Sequence, residues 1–515
     1  MPPAPRPEQP WSEGYVVDID YTHGFYRELA PSLLRFVTAL HRVQAADTDR
    51  PFTYYELGCG NGNTTALLAA VNPHGRFTGV DFNPAHVAYA RKLAQDTGVG
   101  NATFLEHSFG DLAGLDTADA EIIALHGVYS WVSEENRRHI VEFIRRRLKA
   151  GGIVYVSYNC LPGFAQAGPL QRLFVEHAGR GEGELADRVR RSVQFATLLA
   201  GAGAEYFHAS PVAKRLLQKV GGEDLRYVAH EYFGANWSPL FHADVARELA
   251  AASLSYAGSA VLLDNFDQLM LKPELQAFAA DAADRAFAET VRDFAVNRSF
   301  RRDVYVRDAP AAGPADAAAL LGRTRFALAR PRALCRLKRR TPAGDVALEE
   351  HSYAPVLDAL ARAPMTVDEL SQAPECAALD PTGLRQAVLG MAAFANILPA
   401  LPAAGDGARR ASAARFNHGV LSRPIAGVEA VALASPVLGS GVAVSVIDSL
   451  LLAGLAKGGD PVNHAAQAFL DGGLRLLKAG EPVKSADEAR DLIAGKARFF
   501  FSQVLPHFRQ LGVVE

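Results

Sequence analysis

The sequence predicts an α/β protein: a parallel, doubly wound sheet near the amino terminus, a helical insertion in it, and a mainly helical carboxyl-terminal region. Three observations predict this. Strand-like and helix-like segments alternate from Phe52 to Tyr158, the pattern of βαβ units with parallel strands. A glycine-rich bend, Gly58-Cys59-Gly60-Asn61-Gly62, joins the first strand of the alternation to its first helix. Beyond about Asp264 the alternation stops and short helical segments take over.

Taken in order, residues 1–14 are proline-rich (Pro2, Pro3, Pro5, Pro7, Pro10) without the apolar stretch of a signal peptide, and read as a disordered tail. A core with an amino-terminal cap helix spans 15–163. Tyr15 opens a segment that runs into an amphipathic helix on Leu29, Leu33, Leu34, Phe36, Val37 and Leu40. Strands follow at Phe52–Leu57, Arg76–Val80, Ala102–Leu105, Glu121–Leu125 and Ile153–Tyr158, and helices at Asn63–Val71, Pro84–Thr97 and Ser133–Leu148. Gly151-Gly152 supplies the last turn. Residues 164–264 read as a helical insertion that returns, after the helix Ala243–Ala252, to a late strand of the same sheet at Leu254–Leu263. A connecting helical region occupies 265–340. In 341–402, three short helices (His351–Leu360, Thr366–Gln372, Gly383–Ala395) and the strand-like Ile397–Leu401 resemble a winged helix. The alanine- and glycine-rich 403–414 read as a linker, and 415–515 as a helical carboxyl-terminal region.

Composition narrows the function. The chain has 515 residues, 49% hydrophobic and 21% charged, with a formal charge of −3, which gives no overall pull toward nucleic acid. Its four cysteines lie far apart without metal-ligand spacing, as expected of reduced thiols in a cytoplasmic protein with no metal. No apolar run reaches the roughly 18 residues of a membrane span, so no membrane insertion is expected.

The chemistry gathers at strand ends. Glycines after the first strand let the backbone approach a ligand closely, and the following helix start favours an anionic group. Glu56, two residues before Gly58, suits a ligand carrying an ammonium. The second strand ends at Asp81, followed by Phe82, where a carboxylate can accept both hydroxyls of a ribose. The third ends at Ser108, placed to bond an adenine amino group. This register, from Glu56 through Gly58, Cys59, Gly60, Asn61 and Gly62 to Asp81, resembles the class I S-adenosylmethionine-dependent methyltransferases, with their Rossmann-like sheet. The resemblance implies S-adenosyl-L-methionine as cofactor, with Ser108 standing where the family usually has Asp or Asn and Asp111 as an alternative adenine partner.

A narrower resemblance rests on His126-Gly127-Val128-Tyr129-Ser130-Trp131-Val132, on Ser157-Tyr158-Asn159-Cys160-Leu161-Pro162-Gly163, and on His230-Glu231-Tyr232-Phe233 through Trp237-Ser238-Pro239-Leu240-Phe241, with Phe300-Arg301-Arg302-Asp303. These are similar to methyltransferases with a methyltransferase regulatory domain, among them the rickettsial protein-lysine methyltransferases. The insertion would then be regulatory and the acceptor a protein lysine, methylated by in-line displacement.

Candidate catalytic residues are His126, Tyr129, Trp131 and Tyr158: Tyr129 to orient an amine, Trp131 to stack on the acceptor, His126 as a cofactor-side contact, and Tyr158 to border the acceptor with Asn159. Tyr21 and Tyr26 could close over the cofactor, and packing is the competing reading for each aromatic residue. Arg27 and Glu28 read as a solvated face. The run Arg137-Arg138 with Arg145-Arg146-Arg147 lies on an amphipathic helix and reads as a solvated face; Arg336 with Lys338-Arg339-Arg340 is a second run, but the third helix of the winged-helix-like unit has too few cations for DNA, so no nucleic acid is expected. A small-molecule or natural-product acceptor, a cofactor-sensing protein without turnover, and a homodimer stay open.

Overall fold

A computed structural model describes residues 24–234, 236–423, 430–471, 476–478, 481–483 and 485–515. The tail 1–14, Tyr15 and the candidate Tyr21 lie outside the described residues.

Seven strands form the central sheet: β1 (Thr53–Leu57), β2 (Arg76–Asp81), β3 (Ala102–Glu106), β4 (Ala120–Leu125), β5 (Leu148–Asn159), β6 (Leu254–Ser259) and β7 (Phe300–Arg307). Their order is β3-β2-β1-β4-β5-β7-β6. β1 to β5 run parallel, and β7 is antiparallel to both β5 and β6. This is the Rossmann-like methyltransferase sheet. The inner strands β1, β4 and β5 are rich in Ile, Val and Tyr because both faces are covered.

Helices α1 (Pro31–Leu40), α2 (Asn63–Val71), α3 (Pro84–Asp96) and α4 (Glu134–Arg147) cover the sheet. α4 has Ser133 at its N-cap, acids in its first turn and three arginines in its last, the arrangement that complements the helix dipole. α2 is apolar all round, and every residue from Thr64 to Val71 is buried, the mark of a helix enclosed on several sides. Its second cover comes from the far end of the chain: the helix Asp406–Leu421 and the hairpin Ala430–Ser435/Ser440–Ser445 pack against it.

Five helices, α5 (Gly168–Arg180), α6 (Leu185–Gly201), α7 (Glu205–Ala209), α8 (Pro211–Val220) and α9 (Leu225–Tyr232), follow β5 and enclose a core of their own around Phe174, Val189, Phe207 and Leu217. They meet the sheet at the carboxyl ends of β4 and β5, where Asn159 Nδ2 donates to Glu231 (3.1 Å) and Ser238 N–H donates to Ser130 C=O (2.8 Å). α10 (His242–Ala250) then leads into β6.

Three expectations need correction. The region 265–340 is not only helical, since it holds β7, wedged between β5 and the late strand. Phe300-Arg301-Arg302-Asp303 looks too charged for an inner strand, but the structure pairs the charges within the fold. Arg301 Nε donates to both oxygens of Asp303 (2.9 and 3.0 Å), Nη1 to Asp293 (2.6 Å) and Nη2 to Glu289 (2.8 Å). The late strand stops at Ser259, and Leu262–Asn265 is a 3-10 turn. Finally, the expected linker 403–414 folds from Asp406 onward as a helix. Alanine is the best helix former, and the buried Arg409 anchors this helix to the carbonyls of Pro402, Ala404 and Pro436.

Within 341–402 the helices are Glu350–Arg362, Val367–Leu370 and Pro381–Ala393, followed by the strand Ile397–Ala400. The small sheet they accompany has Arg325–Leu328 as its central strand, paired with Met365–Thr366 and Ile397–Ala400. That central strand precedes the stretch read as winged-helix-like.

Candidate active site

A cavity opens at the carboxyl ends of β1, β2 and β4. Its floor is the bend after β1, where Gly58, Gly60 and Gly62 all have positive φ (75°, 53° and 68°). A Cβ at Gly58 would lie 2.5 Å from Val128 Cγ2, and one at Gly62 2.6 Å from Ala90 Cβ. Glycine is therefore required for the close approach of α2, α3 and the β4 loop.

Two carboxylates line this cavity, Glu56 and Asp81. Glu56 is buried and accepts a bond from the Thr65 hydroxyl. Burial pushes its pKa up to about 7, opposed by Thr65 and reinforced by the nearby Asp81. Asp81 accepts from Gly60 N–H (2.8 Å) on Oδ2 and from Asn83 N–H (2.9 Å) on Oδ1, with His86 Nδ1 3.3 Å from Oδ1. A carboxylate has about four acceptor positions, so Asp81 holds the glycine bend and still has at least one position for a sugar hydroxyl on the cavity side.

Around this pair the structure gathers the expected Cys59, Asn61, Phe82, Ser108, His126 and Trp131. Ser108 donates its hydroxyl to Asp111 (2.8 Å), whose carboxylate is held below its ordinary pKa by that bond and by Ser108 N–H. Asp111 is not part of the cavity wall, so Ser108 is the residue that faces it. His126 Nδ1 lies 2.8 Å from the Tyr155 hydroxyl, and its ring stacks on Tyr26 with centroids 3.6 Å apart. Burial, with Arg302 adding, lowers the His126 pKa to about 3, leaving a neutral imidazole.

Two candidates lie elsewhere. Tyr129 is fully buried under α4 and α10, donating its hydroxyl to Glu248 (2.7 Å) with the Arg137 guanidinium over its ring. Tyr158 is fully buried in the same core cluster, on the face of β5 away from Tyr155, and donates to Asp303 (2.6 Å). Both are anchors of the fold and neither touches the cavity. Strand parity explains Tyr158: residues alternate between faces, so Tyr155 and Ser157 reach His126 while Tyr158 turns toward β7.

The wall also contains His86, His107, Phe109, Val128 and Asn136, none singled out from sequence, together with Tyr26. His86 sits in the first turn of α3 directly after the Asp81 strand end, and that adjacency was its one available signal. Among the described residues no group of three or more potential ligands could hold a metal ion, and no helix is long and apolar enough to cross a membrane.

A glycine bend with an acid before it and a second acid ending the adjacent strand, on this sheet order, defines a Rossmann-like methyltransferase site. Comparison with known proteins agrees. The family described as "Methyltransferase domain" matches residues 55–152, and that described as "Predicted methyltransferase regulatory domain" matches residues 224–307. The chain is 35% identical over 503 residues to the uncharacterized protein sll1526 of Synechocystis sp., covering 98% of this chain and 99% of that one. It is 33% identical over 106 residues to a carboxy-S-adenosyl-L-methionine synthase of Chromohalobacter salexigens, covering 20% of this chain and 38% of that one. PKMT2 from Rickettsia typhi, solved in complex with AdoHcy, superposes with a TM-score of 0.70 at 17% identity, covering 95% of this chain and 99% of that one. The chain belongs to the S-adenosylmethionine-dependent methyltransferases that carry a methyltransferase regulatory domain.

The residues present fit the cofactor. The glycine bend leaves a cradle that a Cβ would fill, and the two acids complement a ligand bearing an ammonium, a sulfonium and a ribose. Glu56 would hold the amino-acid end, Asp81 and Gly60 the sugar edge, and Ser108 and Phe82 the base.

Proposed function

We infer that the methyl acceptor is a protein lysine. The observation that carries this reading is the charge of the wall: among the described residues, no lysine or arginine lines the cavity. Such a wall disfavours carboxylate or phosphate acceptors and suits an amine that enters beside a cationic donor. Trp131 and the neutral His126–Tyr26 stack offer an apolar channel for the aliphatic stem of lysine.

Methyl transfer from a sulfonium needs an acceptor lone pair about 3 Å from the carbon, opposite the sulfur. A lysine ammonium must first lose its proton, and withdrawal from water lowers its pKa. Positioning and dehydration then supply the catalysis, and the cofactor supplies the methyl group. Two further points support the reading: the sequence resemblance to rickettsial protein-lysine methyltransferases, and the fold shared with PKMT2 along nearly the whole chain. A cytoplasmic location belongs to the same reading, supported by four free thiols.

Incubation of the purified protein with methyl-labelled cofactor and a cell lysate tests it. Label is expected in the protein fraction, recovered as methyl-lysine after hydrolysis. Label confined to small molecules would overturn the reading.

A further inference from the structure

The helical insertion brings an acid to the carboxyl end of β5. Tyr155, Ser157 and Asn159 share one face of that strand, because strand residues alternate between faces. The first two reach His126, part of the cavity wall. Asn159 comes next in the row and ends the strand, where open α/β sheets hold their ligands. Its Nδ2 donates to Glu231 Oε1 on α9 (3.1 Å).

α9 and the loop after it also approach two aromatic residues of the cavity wall, Tyr26 and Trp131. Tyr227 lies one turn before Glu231 on the same helix face. Burial raises the pKa of its hydroxyl, and Glu231, Glu223 and Tyr26 add to the rise, so these groups lie within electrostatic reach of it. A Cβ on Gly234 would lie 3.8 Å from Trp131 Cδ1. Glu231 sits between these two approaches.

This acid is short of a cation. Among the described residues, Glu231 makes no hydrogen bond beyond that from Asn159 and no ion pair. It is half-buried, and Oε2 is not a sealed atom. Lys219, whose charge reaches it, lies 3.7 Å from Glu223, and Arg302 of β7 is paired with Glu28 (3.4 Å). Burial pushes the Glu231 pKa up, opposed by Asn159 and Lys219, which suits a group that must take a proton. The other candidates are spent. His126, with its pKa lowered to about 3, is a poor base, and the Tyr129 and Tyr158 hydroxyls are bonded to Glu248 and Asp303.

We propose that Glu231 is the catalytic base: Oε2 receives the acceptor ammonium at the end of β5 and takes its proton, while Asn159 holds Oε1. The proposal rests on the lysine reading above and gives the departing proton a destination. Oε2 accepts one ammonium proton. The nitrogen lone pair so released forms the bond to the methyl carbon, while the carbon–sulfur bond breaks and its electron pair stays on sulfur. The positive charge passes from sulfur to nitrogen, and Glu231 returns its proton to water.

Glu231→Gln tests this, since it keeps the shape and an oxygen for Asn159 but cannot take the proton. In the first readout, n-butylamine, which carries the aliphatic stem of lysine, is titrated into the full chain saturated with S-adenosylhomocysteine. Saturable binding is expected in the wild type and should be at least about tenfold weaker in Glu231→Gln. The second readout is transfer of labelled methyl to lysate, which should slow about a hundredfold or more in the variant. Melting temperature and affinity for S-adenosylhomocysteine should stay at their wild-type values, which separates a lost base from a damaged fold. Absent butylamine binding in the wild type, or equal binding in the two proteins, overturns the proposal. Equal rates with label recovered as methyl-lysine overturn it too, and leave the lysine reading standing. Label confined to small molecules overturns the lysine reading, while butylamine binding that depends on Glu231 still supports this residue as the ammonium site.

Discussion

The sheet carries two buried acidic clusters, and it treats them in opposite ways. Between β6 and β7, Asp303 is surrounded by donors: Arg301, the Tyr158 hydroxyl and His242 Nδ1 at 3.0 Å. Burial alone would push it up, but Arg301 and His242 outweigh burial and bring its pKa down to about 2. At the ends of β1 and β2, Glu56 is equally withdrawn from water, has one neutral donor in Thr65 and another carboxylate nearby, and rises to about 7. The first cluster is complete and holds the fold together. The second is short of a cation, which a sulfonium nucleoside bearing an ammonium supplies. Where the fold leaves an acid uncompensated next to a cavity, the missing charge describes the ligand.

The largest expected effect breaks the complete cluster. Arg301→Met would strand Asp303, Asp293 and Glu289 without their shared cation, and should cost about 3–5 kcal/mol in denaturant unfolding. The incomplete cluster should respond in the reverse sense. Glu56→Gln should lower cofactor affinity at least tenfold, on the scale of about 1.4 kcal/mol, without loss of stability at pH 8. The sign follows from its raised pKa. A carboxyl favoured in the protonated form contributes full stability below its ordinary range, and that contribution is lost as pH rises through about 7. Asp81→Ala should also weaken cofactor binding at least about tenfold in calorimetry, with some loss of order in the bend that Gly60 N–H anchors.

The pH dependence of cofactor binding sharpens the comparison further. Binding an ammonium needs an ionised Glu56, so affinity should fall as pH drops below about 7. Calorimetry near that pH, repeated in buffers of different ionisation enthalpy, should detect a released proton that is absent in Glu56→Gln. The smallest effect belongs to Tyr129→Phe, which removes only the bond to Glu248. It should cost about 1 kcal/mol of stability and leave the affinity for the cofactor unchanged.

What could be read from the sequence followed from how local each signal is. The bend and its two acids are set by spacing within a strand–turn–helix, so Glu56, Gly58, Gly60 and Asp81 fall where their spacing puts them. Strand identity was equally legible wherever apolar residues ran together, as in β4 and β5. β7 escaped because its charges are satisfied by Asp293 and Glu289, residues of a different element. Tyr158 and Tyr129 escaped because which way a side chain faces is settled by register and by what packs behind it. The helix Asp406–Leu421 escaped because a polar, alanine-rich stretch reads as a spacer until one sees that Arg409 and Asn417 find their partners inside the fold.

The placement of β7 also matters while the chain is being made. β5 gains its second neighbour only from a strand far downstream, and β6 joins the sheet only through that same strand. A nascent chain halted before Phe300 exposes the hydrogen-bonding edge of β5 to the cell, an invitation to pair with other chains. Stop codons that truncate the protein upstream of that point should therefore yield aggregates instead of a minimal methyltransferase, although the whole glycine bend and both acids have already been synthesised.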